Sequence, residues 1–181
     1  MSKGDTARQF YESARAELIT HIRLSNQALF LFIASSAAIF TVGHSPTGLL
    51  EILLIIPFLG AGATVVVTQH DALSGGLAAY CNKEIRQALM ELEQDIPQWD
   101  SCEFLKFYQP TLIKRRLLAH SLVLLPPSLI SLYLNKSHAF AGGDSVYNPI
   151  WWIATLVTIY SFWVVFSNFL SRQLAYEKSI I

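Results

Sequence analysis

An all-α membrane bundle of four transmembrane helices with a small helical cytoplasmic layer is the fold class the sequence predicts, and three observations predict it. Charged side chains are absent from Leu24 through Leu50, Ile52 through Gln69, Leu117 through Asn135 and Ser145 through Ser171. Each window approaches or exceeds the roughly 20 helical residues needed to cross a hydrocarbon layer about 30 Å thick at 1.5 Å per residue. The cations then sort to one side: of 13 Lys and Arg, only Lys136 falls between the third and fourth windows. Composition alone is silent, because 52% hydrophobic residues in 181 is little above the usage of a soluble domain.

The windows lack the polar face that a surface helix of a soluble protein shows every third or fourth residue. "ALFLFIASSAAIF", "ILLIIPFLGAGATVVV", "LLAHSLVLLPPSLISLYL" and "WWIATLVTIYSFWVVF" are apolar or small all round. One Asp, Lys or Arg at mid-span costs about 2.5–3.5 kcal/mol on insertion scales, so charge-free windows are what a bilayer selects. A buried water-soluble bundle is the alternative, and the missing polar faces tell against it. Mixed charge before the first window, including Asp5, Glu12 and Glu17, argues against a cleaved signal peptide.

The elements follow in order. Residues 1–26 read as a cytoplasmic helix with Phe10, Ala14, Leu18 and Ile22 on one face and Asp5 as N-cap. Residues 27–69 are a transmembrane hairpin turned at Ser45-Pro46-Thr47-Gly48. Within its second span, Pro57 permits a kink, and Gly60-Ala61-Gly62-Ala63 permits close helix packing.

Residues 70–116 form a cytoplasmic helical segment in which Leu73, Leu77, Cys81, Ile85, Leu89 and Leu92 recur at helical spacing. Gly75-Gly76 weakens that helix enough to allow a bend, and Pro97 ends it. A short helix or membrane-surface segment from Trp99 leads to Pro110. Residues 117–171 are the second transmembrane pair, and 172–181 a tail. The positive-inside bias puts both termini and the central segment in the cytoplasm of a cell whose inner membrane this chain crosses. Lys114-Arg115-Arg116 and Trp151-Trp152 read as lipid headgroup anchors at opposite faces of the bilayer.

Chemistry-bearing residues are sparse. Cys81 and Cys102 fall on the cytoplasmic side, where thiols stay reduced, and are not closely spaced as structural zinc ligands are. His70-Asp71 resembles a phosphohydrolase metal pair but lacks companion ligands in helical array, and reads better as a polar boundary marker. Arg115 with His120, and Arg15 with His21, approach the spacing of HEPN ribonucleases. Arg116 and Ala16, which follow those arginines, are not the Asn, Asp or His that motif carries. His120 is a titratable residue one turn inside the bilayer edge and so a candidate in its own right.

In the fourth span, Thr155, Thr158, Ser161 and Asn168 cover a sector of about 140°. Such a stripe either lines a pore in an oligomer or packs against sister helices. No catalytic residues, metal or cofactor are expected. Six basic residues against seven acidic ones in the central segment also argue against a nucleic-acid face.

The charged N-terminal helix, the tight hairpin and "QHDALSGGLAAYCNKEI", residues 69–85, together resemble small bacterial membrane proteins associated with antiviral defence loci. These include accessory proteins of RADAR adenosine-deaminase systems and of RNA-targeting CRISPR systems. The resemblance implies a homo-oligomeric effector or accessory protein that forms or gates a pore, or perturbs the membrane, in response to a cytoplasmic signal. It carries no catalytic residues. His70, Asp71, Lys83, Glu84 and Arg86 are the candidate surface for a signal or a cytosolic defence complex. The alternative is a non-conducting anchor that recruits such a complex to the bilayer.

Overall fold

In the computed structural model, which describes residues 3–46, 48–87, 103–140 and 147–180, four long helices run antiparallel in chain order. They are α1 (Lys3–Gly43), α2 (Ile56–Tyr80), α3 (Glu103–Ala139) and α4 (Tyr147–Ile180). A 3₁₀ helix, Leu50–Ile55, leads into α2, and a π-helical turn, Cys81–Ile85, extends it. Each helix contains a stretch long and apolar enough to cross a membrane, and no strand occurs among the described residues. At 41 residues α1 is about 60 Å long, roughly twice the thickness of a hydrocarbon layer, so one span cannot account for all of it.

Polarity is distributed inside-out. Phe30, Leu31, Leu122, Leu156, Ile159 and Trp163 are exposed, whereas Ser25, Ser36, Thr64, Thr68, Ser128, Ser131, Thr158 and Ser161 are buried. Small hydroxylated residues let helices approach closely and can return their protons to their own helix, as helices able to cross a membrane require. Thr68, Thr158 and Ser161 do so, donating at 2.8–2.9 Å to the carbonyls of Thr64, Ala154 and Val157. Helix α2 is the hub, in contact with all three others, while α3 pairs with α4. Phe32, Leu53, Ile56, Leu124 and Val165 fill the centre.

The 3₁₀ helix is held from α3. Ser131 donates its hydroxyl to the Leu53 carbonyl, and Asn135 Nδ2 donates to Leu50 O at 3.0 Å and to Ser131 O at 3.1 Å. Trp151 Nε1 donates to Leu132 O at 2.9 Å, tying α4 to α3 at the same end. We call this the hairpin end, and the opposite end, where α1 starts and α4 finishes, the terminal end.

Several local expectations change. Asp5 lies in the first turn of α1 rather than capping it, because the helix already begins at Lys3. Ala14 is buried against Cys81 and Ile85, with Ala7, Tyr11 and Leu77 around them, but Phe10 and Ile22 are exposed because the α2 contact falls on a neighbouring face. Leu73 is likewise exposed. The 45–48 turn is present, with Gly48 N donating to Ser45 O at 2.8 Å; Thr47 lies outside the described residues.

Pro57 sits in the first turn of α2, where a missing N–H breaks no helical hydrogen bond, so it starts the helix instead of kinking it. Helix α2 continues unbroken through Gly75 and Gly76, and the irregularity comes later, in the π turn. Pro110 does not end an element, since α3 runs through it from Glu103. Leu89, Leu92, Pro97 and residues 99–102 lie outside the described residues.

The glycine patch divides sharply. A Cβ on Gly60 would stand 2.9 Å from Ser128 Oγ and 3.5 Å from Phe32 Cε2, whereas one on Gly62 would meet nothing within 4 Å. Gly60→Leu is expected to destabilise the bundle by about 1–3 kcal/mol through overpacking, and Gly62→Leu to leave it unchanged. Thermal unfolding in detergent reads both, and equal effects would refute this account of α1, α2 and α3 packing.

Candidate functional site

Along one face of α2, Thr64, Thr68, Asp71 and Ser74 are buried at helical spacing. Thr68 satisfies itself on its own helix, as does Ser74, whose hydroxyl donates to His70 O at 2.8 Å. An ionised carboxylate has only acceptors and cannot do this. Asp71, only 2% exposed, therefore depends on donors from neighbouring helices.

Both neighbours bring cationic or polar side chains to it. Arg116 and His120 are four residues apart on α3 and so share a face. Arg116 Nη2 lies 3.4 Å from Asp71 Oδ1, and His120 Nδ1 lies 3.7 Å from Oδ2. From α4, Arg172 Nη2 reaches to 4.0 Å from Oδ1 and donates a hydrogen bond to the Asp71 backbone carbonyl. Three helices thus meet at one acidic group near the terminal end.

Beside this cluster lies a half-open cleft of about 570 Å³. Arg115, Arg116, Arg172, His120 and Asn168 border it together with Asp71, and Leu112, Leu117 and Phe169 give it apolar walls. Three guanidinium groups against one carboxylate leave two positive charges in excess. Among the described residues no group of three or more His, Cys, Asp or Glu is placed to hold a metal ion.

The residues singled out from sequence scatter over the bundle. His70 turns from Asp71 towards α1, where its Nδ1 meets His21 Nδ1 at 2.9 Å, one ring donating and the other accepting. His21 Nε2 in turn lies 3.5 Å from Glu17. Glu84 is exposed, Arg86 half-buried, and the Lys83 side chain lies outside the described residues.

Lys114 and Arg115 are exposed, but Arg116 is engaged with Asp71. At the hairpin end Trp151 packs towards Leu54, Leu132 and Ala154, while Trp152 is exposed. In α4, Thr158 and Ser161 are buried, the half-buried Thr155 donates to Trp151 O at 2.9 Å, and Asn168 borders the cleft.

The pairing of Asp71 with Arg116, His120 and Arg172 is missed when each is read alone, as boundary marker, headgroup anchor, lone histidine and tail cation. One signal could have found it. Position 71 follows the second window, 116 and 120 open the third, and 172 follows the fourth, so opposite charges stand at a common depth.

No protein-family model, curated protein or solved structure matches the chain. Its class therefore comes from its fold: an all-helical protein with four helices able, by length and composition, to cross a membrane.

Removing Asp71 would leave Arg116 and Arg172 facing each other without their counterion. Asp71→Ala is expected to cost somewhat less than the about 3–5 kcal/mol of a fully buried pair, because the Arg116 side chain is 40% exposed. Asp71→Leu combined with Arg172→Met should recover most of the loss, since apolar groups of similar volume often replace a buried pair without penalty. Chemical denaturation in detergent measures both, and a neutral Asp71→Ala would refute the role given to the cluster.

Proposed function

We propose that this protein is a non-catalytic accessory of the bacterial inner membrane, oriented with both termini in the cytoplasm. In this reading it serves as a non-conducting anchor whose cytoplasmic edge receives a signal or partner. The observation that carries the reading is the direction of the α4 hydroxyls. Thr158 and Ser161, the centre of the stripe a pore would need, are buried within the protomer and hydrogen-bonded to their own helix. The faces of α4 left for contact with other copies or with lipid are largely apolar, carrying Leu156, Ile159, Trp163 and Phe166 with Tyr160 among them, a poor lining for a hydrated ion.

Orientation is supported by charge. Arg115, Arg116 and Arg172 border a cleft at the terminal end, the side on which the positive-inside bias holds cations. That end also bears the cluster of Ala14, Cys81 and Ile85, through which α1 packs on the continuation of α2 and can present Glu84 to a cytosolic protein. The resemblance of residues 69–85 to accessory proteins of antiviral loci gives the setting, with a defence complex as the partner.

Two measurements test this. In a Cys102→Ser background, Ser137→Cys should react with a membrane-impermeant maleimide in intact spheroplasts, and Lys114→Cys only after lysis. The reverse pattern would overturn the orientation. Vesicles reconstituted with the purified chain should hold an ion gradient as long as protein-free vesicles do, and rapid collapse of that gradient would favour the pore-forming effector over the anchor.

A further inference from the structure

The cleft beside Asp71 has unused capacity to bind an anion. Direct hydrogen bonds between guanidinium and carboxylate run at about 2.7–2.9 Å. The side-chain contacts of Arg116 and Arg172 with Asp71, at 3.4 Å and 4.0 Å, are longer, so the carboxylate offsets their charge without consuming their donors, and of these only Arg172 Nη2 is engaged, by the Asp71 backbone carbonyl. Arg172 Nε is buried and has no hydrogen-bond partner. Arg115 adds a third guanidinium, His120 a ring nitrogen and Asn168 an amide. Planar guanidinium forks suit the tetrahedral oxygens of phosphate, which they bind bidentately.

Position and shape agree with that chemistry. The cleft lies at the ends of the apolar segments Thr111–Ser137 and Asn148–Leu174, the depth at which the phosphates of a surrounding bilayer would stand. Leu112, Leu117 and Phe169 give it apolar walls beside the arginines, suited to the glycerol and upper acyl chain of an amphiphile.

We infer that this cleft is a phosphate-binding site, in which Arg115, Arg116 and Arg172 grip a phosphate group carried by an anionic phospholipid headgroup or free in the cytosol. Asp71 holds Arg116 and Arg172 in place when the site is empty and competes for them when it is filled, which keeps binding reversible. The inference gives a ligand class to the receiving edge proposed above, and it rests on that reading only for the side of the membrane the cleft faces.

The test uses the full chain in phosphatidylcholine nanodiscs, with thermal unfolding followed by tryptophan fluorescence and bound lipid counted by native mass spectrometry. One arm dopes the discs with phosphatidylglycerol in phosphate-free buffer, and the other titrates inorganic phosphate into undoped discs. A rise in the unfolding midpoint in either arm upholds the site, and the arm that responds identifies the source.

Arg115→Gln with Arg116→Gln should weaken the responding ligand by about tenfold or more, and Arg115→Gln alone, which leaves the Asp71 pairs intact, by a smaller factor. Lys114→Gln, one residue outside the cleft, should bind as the parent does. The inference is overturned if neither arm responds, if both arginine variants bind like the parent, or if Lys114→Gln loses as much as they do. Failure here with the maleimide pattern intact removes only the ligand class, whereas a reversed pattern with binding intact removes only the orientation.

Discussion

Hydrocarbon supplies no hydrogen-bonding partner, and for four helices long and apolar enough to cross a membrane this is the constraint on every polar group between them. Polar groups placed among the four helices are answered from within the protein in three ways, and a few, such as Ser36 Oγ, Thr64 Oγ1 and Arg172 Nε, are left without a hydrogen-bond partner. Threonine and serine hydroxyls fold back onto carbonyls one turn earlier on the same helix, as Thr68, Thr158 and Ser161 do. Side chains of α3 and α4 reach across to carbonyls of another element, as Ser131, Asn135 and Trp151 do. Asp71 is the hardest case, because a carboxylate has no proton to return, and it is answered by the guanidinium groups of Arg116 on α3 and Arg172 on α4.

How much of this could be read from the chain follows from the range of each interaction. The four spans were legible because exclusion of charge is a property of consecutive residues: Leu117 through Asn135 is charge-free whatever it packs against. The close approach at Gly60 was legible as a class of contact, but its separation from Gly62 was not, since that depends on which face of α2 meets Phe32 and Ser128. Pro57 does not kink α2 because it sits in the helix's first turn, a position that cannot be known before the helix start is. Pro110 lies seven residues inside α3, which runs through it although an interior proline removes one helical hydrogen bond.

The Asp71 cluster was the least legible feature. Asp71 and Arg172 are 101 residues apart, and no local pattern links them. Only the assumption that the spans lie antiparallel and in register puts their ends at a common level. The same limit explains Phe10 and Ile22: periodicity identified a helix, but the face that met α2 was the one bearing Ala7, Tyr11 and Ala14.

The two ends of the bundle are secured by different physics, and the difference bears on where a signal could act. At the hairpin end the ties are neutral, directional hydrogen bonds of 2.9–3.0 Å from Asn135 and Trp151, which lose their strength when donor and acceptor turn away from each other. At the terminal end they are longer ion pairs around Asp71, which depend less on angle and border a cleft open to ligands. A buried ion pair often adds little net stability over an apolar replacement, so what this cluster contributes is the relative depth of α2, α3 and α4. A ligand competing for Arg116 or Arg172 would act on that alignment directly. Since α2 touches every other helix, it is the element through which a change at Asp71 would reach α1 and its packing on Cys81 and Ile85.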